Sequence, residues 1–380
     1  MVGYLVFLAI STAIFALFSL GLNLQWGFTG LINFGHVAFM TVGAYTTVLL
    51  SMQGVPLIVA ALIGAGIAAL LGLLIGTSTL RLREDYLAIV TIGVSELIRL
   101  VVNNQDLPTG STFTPGAFGL QGYPLPLANF APNAVVKLLM IGLLTLITGV
   151  YYWQLWRWVR KGLGVRFIKQ DKKTSRLSPL ASRLFLGIVA TLLSLALYAA
   201  GVVALYDYAN HEKAGLMLLS VLVLGLVFWL LESLVRSPWG RVLKAIREDE
   251  EVPKALGKNI FWYKLQSLML GGAIAGIAGA IYAWQQTSIY PNDFEPLVTF
   301  NAWIMVILGG AGNNVGTILG AIIFFAYEAI TREVLPRIVP LDEARLGAFR
   351  IMVIGLLLMV LMLWRPQGIL GKKEELTLSK

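Results

Sequence analysis

Residues 57–80 read LIVAALIGAGIAALLGLLIGTSTL, an unbroken stretch without a single charge. A helix that crosses a bilayer needs about 20 predominantly apolar residues, so this stretch alone is long enough to span one. Similar stretches recur along the chain. They place helices near 3–22, 32–52, 56–80, 86–103, 134–156, 184–206, 214–235, 264–286, 299–310, 316–335 and 347–364. Only 13% of the 380 residues are charged and 57% are apolar, where a soluble domain carries about 25% and 45–50%. That balance excludes a soluble enzyme, a DNA-binding domain and a disordered chain. The expected fold is an all-α polytopic membrane protein of ten or eleven transmembrane helices.

The net charge of +9 follows topology and does not call for a nucleic-acid partner. Segments 81–85, 157–183, 236–264 and 365–380 fall on one side of the alternation. They hold two, nine, seven and four Lys and Arg, which is 22 of the chain's 29. Segments 104–133 and 287–298 on the other side hold none. Cytoplasmic loops collect Lys and Arg, so the N-terminus is expected outside and the C-terminus inside. The loop 332–350 carries four arginines on the outer side and is the weakest point of this assignment. The first apolar stretch lacks a basic leader and is read as a retained span. With no cysteine and only His36 and His211, thiolate sites and a histidine-rich metal site are excluded and no cofactor is expected.

The chain divides into N-terminal spans (1–150), an added module (151–213), C-terminal spans (214–364) and a tail (365–380). The module joins a basic loop to one further span. It is read as a solvated loop with a peripheral helix; a lipid headgroup contact is the sharper alternative.

Two stretches interrupt the helical pattern. NLQWGFTGLINFGH (23–36) sets glycines and amides at membrane depth, and GGAGNN (309–314) breaks the short ninth span. Irregular backbone at that depth is tolerated only against protein or a water-filled cavity, which makes Asn23, Gln25, Asn33 and His36 candidates for lining a pathway. A hydrogen-bonded structural role for His36 is favoured over a ligand or base. Small residues spaced by four (Gly64, Ala68, Gly72, Gly76; Gly272, Gly276, Ala280; Gly316, Gly320) predict close helix packing. Ionisable residues within spans are few: Glu96, Arg99, Lys137, Glu232 and Glu328. Glu96 and Arg99 can pair at i,i+3, Lys137 and Glu232 sit near span ends, and Glu328 has no evident partner.

The cytoplasmic segment SPWGRVLKAIREDEEVPKALG (237–257) carries the most information. Pro238 suits the first turn of a helix. Val242, Leu243, Ala245 and Ile246 form a short apolar stripe, with Arg241, Lys244 and Arg247 along the other face. Such a helix can dock in the groove of a partner or lie on lipid headgroups, and the pattern alone does not separate the two.

The motifs GLNLQWGFTGLINFGHVAFMTVGAY (21–45), LRLREDYLAIVTIGVSELIRL (80–100), SPWGRVLKAIREDE with PKALG, AGIAGAIYA (275–283), VILGGAGNNVGTILGA (306–321) and RPQGILG (365–371) resemble, in order, those of LivM-type permeases of branched-chain amino acid ABC importers. The module at 151–213 resembles cyanobacterial neutral amino acid permeases of this type. Glu84 stands where the family often has glycine, and the loop 108–122 has a looser glycine pattern. The resemblance implies an amino acid import subunit of the inner membrane. Its implied partners are a LivH-type permease, two ATP-binding cassette subunits and a periplasmic amino acid-binding protein. It also implies a coupling loop (236–262) acting through Gly240, Arg241, Ala245, Ile246, Glu248, Ala255 and Gly257.

A phosphate-binding GxxxxGK[ST] loop is missing from the sequence: Gly257-Lys258 and Gly371-Lys372 are followed by Asn and Lys. The chain is therefore expected to have no ATPase site and no catalytic residue of its own. Two other classes remain as alternatives. One is an ion-coupled secondary transporter using Glu96 or Glu328; no repeat between the two halves supports it. The other is an intramembrane enzyme built on His36, which lacks a second catalytic group. Among ABC permeases, urea or a short amide is the alternative cargo.

Overall fold

The computed structural model describes residues 2–80, 84–110, 112–128, 130–161, 179–208, 213–338, 342–364 and 367–371. Most of the basic loop of the added module, His211, residues 81–83, the side chain of Glu84 and the last nine residues lie outside that description. Thirteen α-helices occur among the described residues. In order they are α1 (Val2–Leu22), α2 (Val37–Met52), α3 (Leu57–Thr79), α4 (Glu84–Asn104), α5 (Ala134–Lys161), α6 (Pro179–Tyr206), α7 (Ala214–Arg236), α8 (Pro238–Glu248), α9 (Glu251–Ala255), α10 (Ile260–Gln286), α11 (Pro296–Gly309), α12 (Asn314–Ile338) and α13 (Glu343–Trp364). Each apolar stretch of the sequence coincides with one of these helices.

Among the described residues, six helices are long and apolar enough to cross a membrane, or seven if the bent pair α11–α12 counts as one. Part of the difference from eleven has physical causes. Helix α2 is 16 residues long, because residues 29–36 enter it without helical structure. Helix α11 has 14 residues and is bent by 117° against α12, as the breaker sequence between them implied. Several side chains of α6 and α13 lie outside the description.

The interior is built on α1 and α10. In each, 72% of the apolar stretch is buried inside the chain, against 11% for α5. The expected small-residue rows meet here. A Cβ on Gly276 would touch Ala65 and Ala68 of α3, and one on Gly72 would touch Leu268 and Met269 of α10. Gly309 and Gly316 press the arms of the bent pair together, since a Cβ on either would lie 2.0–2.5 Å from the other's carbonyl oxygen. In a bilayer, where lipid tails are as apolar as leucine, such backbone contact takes over from hydrophobic burial as the packing force.

Two short antiparallel pairs depart from the all-helical expectation. β1 (Asp106–Thr109) pairs with β2 (Thr112–Pro115), and β3 (Leu120–Gln121) pairs with β4 (Ser288–Ile289). They lie at the ends of α4 and α10 remote from α8. Beside them Asp293 accepts from the Tyr290 N–H at 2.9 Å, while burial raises its carboxyl above the usual carboxylate range.

Candidate functional site: the break after α1 and the helix that grips it

The sequence marks 23–36 as irregular throughout, but only its second half is. Asn23–Phe28 continues α1 as a π-helix. Wider i→i+5 turns of this kind are rare and often sit at functional positions. Asn23 and Gln25 are 0% exposed, Asn33 1% and His36 0%, so every amide in the break must find its partner within protein. Asn33 donates to Gln25 Oε1 at 2.9 Å, and Gln25 donates to the Leu268 carbonyl of α10 at 3.1 Å. Asn23 donates to Asn314 Oδ1 at 3.2 Å and accepts from the Gly312 N–H at 2.9 Å. Asn314 in turn donates to Glu232 Oε2 at 3.1 Å, whose other oxygen takes Arg236 at 2.6 Å. His36 bonds the Phe18 carbonyl through Nε2 at 3.2 Å and packs on the Phe18 and Phe39 rings. Its Nδ1 has no partner among the described residues.

Of the four residues singled out as pathway candidates, Gln25 ties the break to α10, Asn23 ties it to the bent pair, Asn33 braces Gln25 and His36 bonds back to α1. None of them lines the 1140 Å³ cavity between α1, α5, α6, α7 and α12, nor the 430 Å³ cavity at the other end of α1. The tie should carry stability. Asn23→Ala removes both of its bonds and leaves the half-buried Gly312 N–H and the buried Asn314 amide oxygen without this partner, a loss of about 1–3 kcal/mol. The expected result is a lower melting temperature in detergent; an unchanged one would show that a water or a neighbour replaces the amide.

Helix α8 starts as the sequence implies, with Pro238 in its first turn. Gly240 is fixed there by close approach, because a Cβ would lie 2.2 Å from the Val235 carbonyl oxygen. Leu243 and Ile246 are buried; Arg241 and Glu248 are exposed. The basic row does not simply face solvent. Arg247 donates through Nη1 to the Gly27 carbonyl at 2.5 Å, inside the π-helical turn. Lys244 lies 5.7 Å from the centre of the Phe28 ring. Trp239 donates to Gln266 at 2.7 Å, and Lys264 pairs with Glu250, so α8 is also tied to α10.

Pro253 is buried within α9, and the chain turns at Gly257 (φ 72°). Around the elbow Ala255 is exposed, Val252 is 53% exposed and Leu256 74%. Sequence reasoning did not single out Arg247, Glu232 or Asn314 as working parts. Arg247 carries no local signal, because its partner is 220 positions away.

The other ionisable residues are paired. Arg99 bonds Glu96 and reaches Asn292 at 2.9 Å, and Lys137 donates to the Tyr206 carbonyl at 3.0 Å. Glu328, expected to stand alone, has Arg332 at 3.6 Å one turn on.

In this bundle of apolar helices the first helix breaks within the protein, and α8 grips that break through Arg247. The chain belongs to the family described as branched-chain amino acid transport system / permease component, whose model matches residues 4–181 and 181–362. It is 28% identical to the high-affinity branched-chain amino acid transport system permease protein LivM of Escherichia coli K12, over 96% of this chain and 69% of that protein. It is 32% identical to the probable LivM of Methanocaldococcus jannaschii over 40% of this chain and 45% of that one. Similarity extends to the permease protein LivH of E. coli K12, 27% identical over 36% of this chain and 41% of the relative. No solved structure matches.

Proposed function

We propose that this chain is the membrane subunit of an ATP-driven importer that moves neutral or branched-chain amino acids across the bacterial inner membrane. Its N-terminus then faces the periplasm and its C-terminus the cytoplasm. A LivH-type permease, two ATP-binding subunits and a periplasmic binding protein complete the assembly. The observation that carries the reading is the α8–α9 elbow. It is bonded to the break through Arg247 and to α10 through Glu250 and Trp239. It exposes Val252 and Leu256 on α9 and at its end, and Arg241 and Glu248 on α8. A part anchored to the bundle that also exposes apolar and charged side chains is suited to receive force from a second protein.

In this reading Arg241, Glu248 and Ala255 meet the ATP-binding subunit. Gly240, Ala245 and Ile246 hold α8 against the bundle, and Gly257 turns the chain back toward α10. ATP-driven movement of the elbow pulls Gly27 through Arg247. Asn23, Gln25, Asn33 and His36 are the movable wall of the pathway, and their bonds exchange as it opens. Specificity rests largely with the binding protein.

The charge-reversed variants Arg241→Glu and Glu248→Lys test this reading. Each is expected to reduce co-purification of the ATP-binding subunits, and ATP-dependent leucine uptake by proteoliposomes, at least about tenfold, or about 1.4 kcal/mol. Normal association and uptake in well-expressed variants would remove the coupling assignment.

A further inference from the structure

At the end of the bundle remote from α8, a cavity of about 430 Å³ opens between α1, α10, α11 and α12. Its volume lies within the range of small-molecule sites, about 300–1,000 Å³. Much of its wall is apolar and aromatic: Phe7, Leu8, Phe15, Tyr282, Phe324 and Phe325. Against this wall stand one carboxylate, one guanidinium and amides, supplied by Glu328, Arg332, Asn301 and Gln286.

Two features set these polar groups apart. The i,i+4 pair Glu232–Arg236 closes to 2.6 Å, whereas Glu328 and Arg332 stand 3.6 Å apart, beyond hydrogen-bond distance. Their side chains are 40% and 60% exposed, so each keeps hydrogen-bonding capacity that a ligand can reach. The Asn301 side chain makes no hydrogen bond among the described residues, although the residue is half-buried. An open charge pair and an unused amide, set in an aromatic cavity, form an incomplete hydrogen-bonding set.

An α-amino acid carries an ammonium and a carboxylate on the same carbon. A site that recognises both must offer opposite charges side by side, with apolar space beyond them for the side chain. We infer that this cavity is a subsite for an apolar zwitterionic amino acid. Glu328 takes the ammonium, Arg332 and the Asn301 amide take the carboxylate, and the aromatic wall takes the side chain. The inference rests on the import reading above and locates a point of contact with the cargo on the face where it arrives. Alone, Glu328 and Arg332 would be a surface ion pair of little consequence; the cavity and Asn301 give them a ligand.

The chain has no cysteine, so a single introduced thiol can be labelled on it without background. In the assembled complex, Ala329→Cys, in the cavity wall but with no polar contact assigned to it, is treated with a membrane-impermeant maleimide, with and without leucine, and labelling is read on this chain after separation. Phe113→Cys, at the exposed strand pair and away from the cavity, serves as control. Leucine is expected to slow labelling at 329 about tenfold and leave 113 unchanged, and the protection is expected to vanish with Glu328→Gln or Arg332→Gln. Binding of radiolabelled leucine to the complex without its binding protein, compared among the parent, E328Q and R332Q, gives a second readout that needs no cysteine. The proposal is overturned if leucine gives neither protection nor binding, if both charge variants retain them, or if 4-methylpentanoate, which lacks the ammonium, protects equally. ATP-driven leucine uptake by the parent complex is measured in parallel. Uptake with neither protection nor binding removes the subsite alone; absence of ATP-driven uptake removes the import reading itself.

Discussion

Arg247→Ala is expected to leave the complex assembled and folded while lowering ATP-driven uptake at least about tenfold. The side chain does not build the docking face of the elbow; it reaches the other way, to the Gly27 carbonyl at 2.5 Å. A hydrogen bond from a charged donor contributes about 1.5–3 kcal/mol. Losing the lower figure changes the balance between gripped and released arrangements about tenfold. Nearby side-chain contacts do not replace it, since Lys244 approaches the Phe28 ring and not the backbone. Arg247→Lys keeps a donor and the charge on a flexible stem and is expected to restore part of the uptake. The decisive comparison is between ATP hydrolysis and transport in one preparation. Hydrolysis that continues while uptake falls locates the fault between motor and pathway. Uptake equal to the parent's would show that the elbow acts on the bundle by another route.

The second large effect belongs to Gly43. A Cβ there would lie 2.3 Å from the Gly276 carbonyl oxygen and 2.4 Å from its Cα, while the Gly43 carbonyl itself lies 2.8 Å from where a Cβ on Gly64 would be. Helices α2, α3 and α10 therefore touch backbone to backbone around this point, with no flexible side chain able to yield. Overpacking of this kind costs about 1–3 kcal/mol. Gly43→Ala is expected to lower the apparent melting temperature by several degrees, and Gly43→Val to reduce recovery of folded complex severely. Gly66→Ala is the matched control. It lies on α3 with open space around its Cβ, and the better helix propensity of alanine predicts an unchanged or higher melting temperature. Because membrane proteins seldom unfold reversibly, the comparison is made at one scan rate. Equal melting of Gly43→Ala and the parent would mean that the three helices can part without penalty.

The sequence discloses what is written locally. Apolar stretches mark the helices, glycines spaced by four mark the faces on which α3 and α10 meet, and Pro238 followed by an apolar stripe marks α8. The break after α1 shows in its amides and glycines, although the π-helical half of it does not, because one extra residue in a turn leaves no compositional trace. What joins the parts lies beyond any local period. Asn23 meets Asn314 across 291 positions, and Arg247 meets Gly27 across 220. Arg247 looks like one more cation on the exposed face of α8 until the fold shows its guanidinium on the Gly27 carbonyl. The Glu328–Arg332 pair was legible from its i,i+4 spacing, and is overlooked when Glu328 is treated as an isolated acid within a span.

The bend between α11 and α12 is closed by the last described residues of the chain. Ile369 and Leu370 donate their N–H groups to the carbonyls of Leu308 and Gly309 at 2.9 Å each, and Asn313 donates its side-chain amide to the Leu370 carbonyl at 2.9 Å. These acceptors sit where a helix ends and leaves its carbonyls without partners. A nascent chain emerging from the ribosome therefore carries a half-made hinge through the synthesis of α12 and α13, and completes it only when residues 367–371 emerge. The residues that lock the joint are thus made after both of its arms have been threaded into the bilayer.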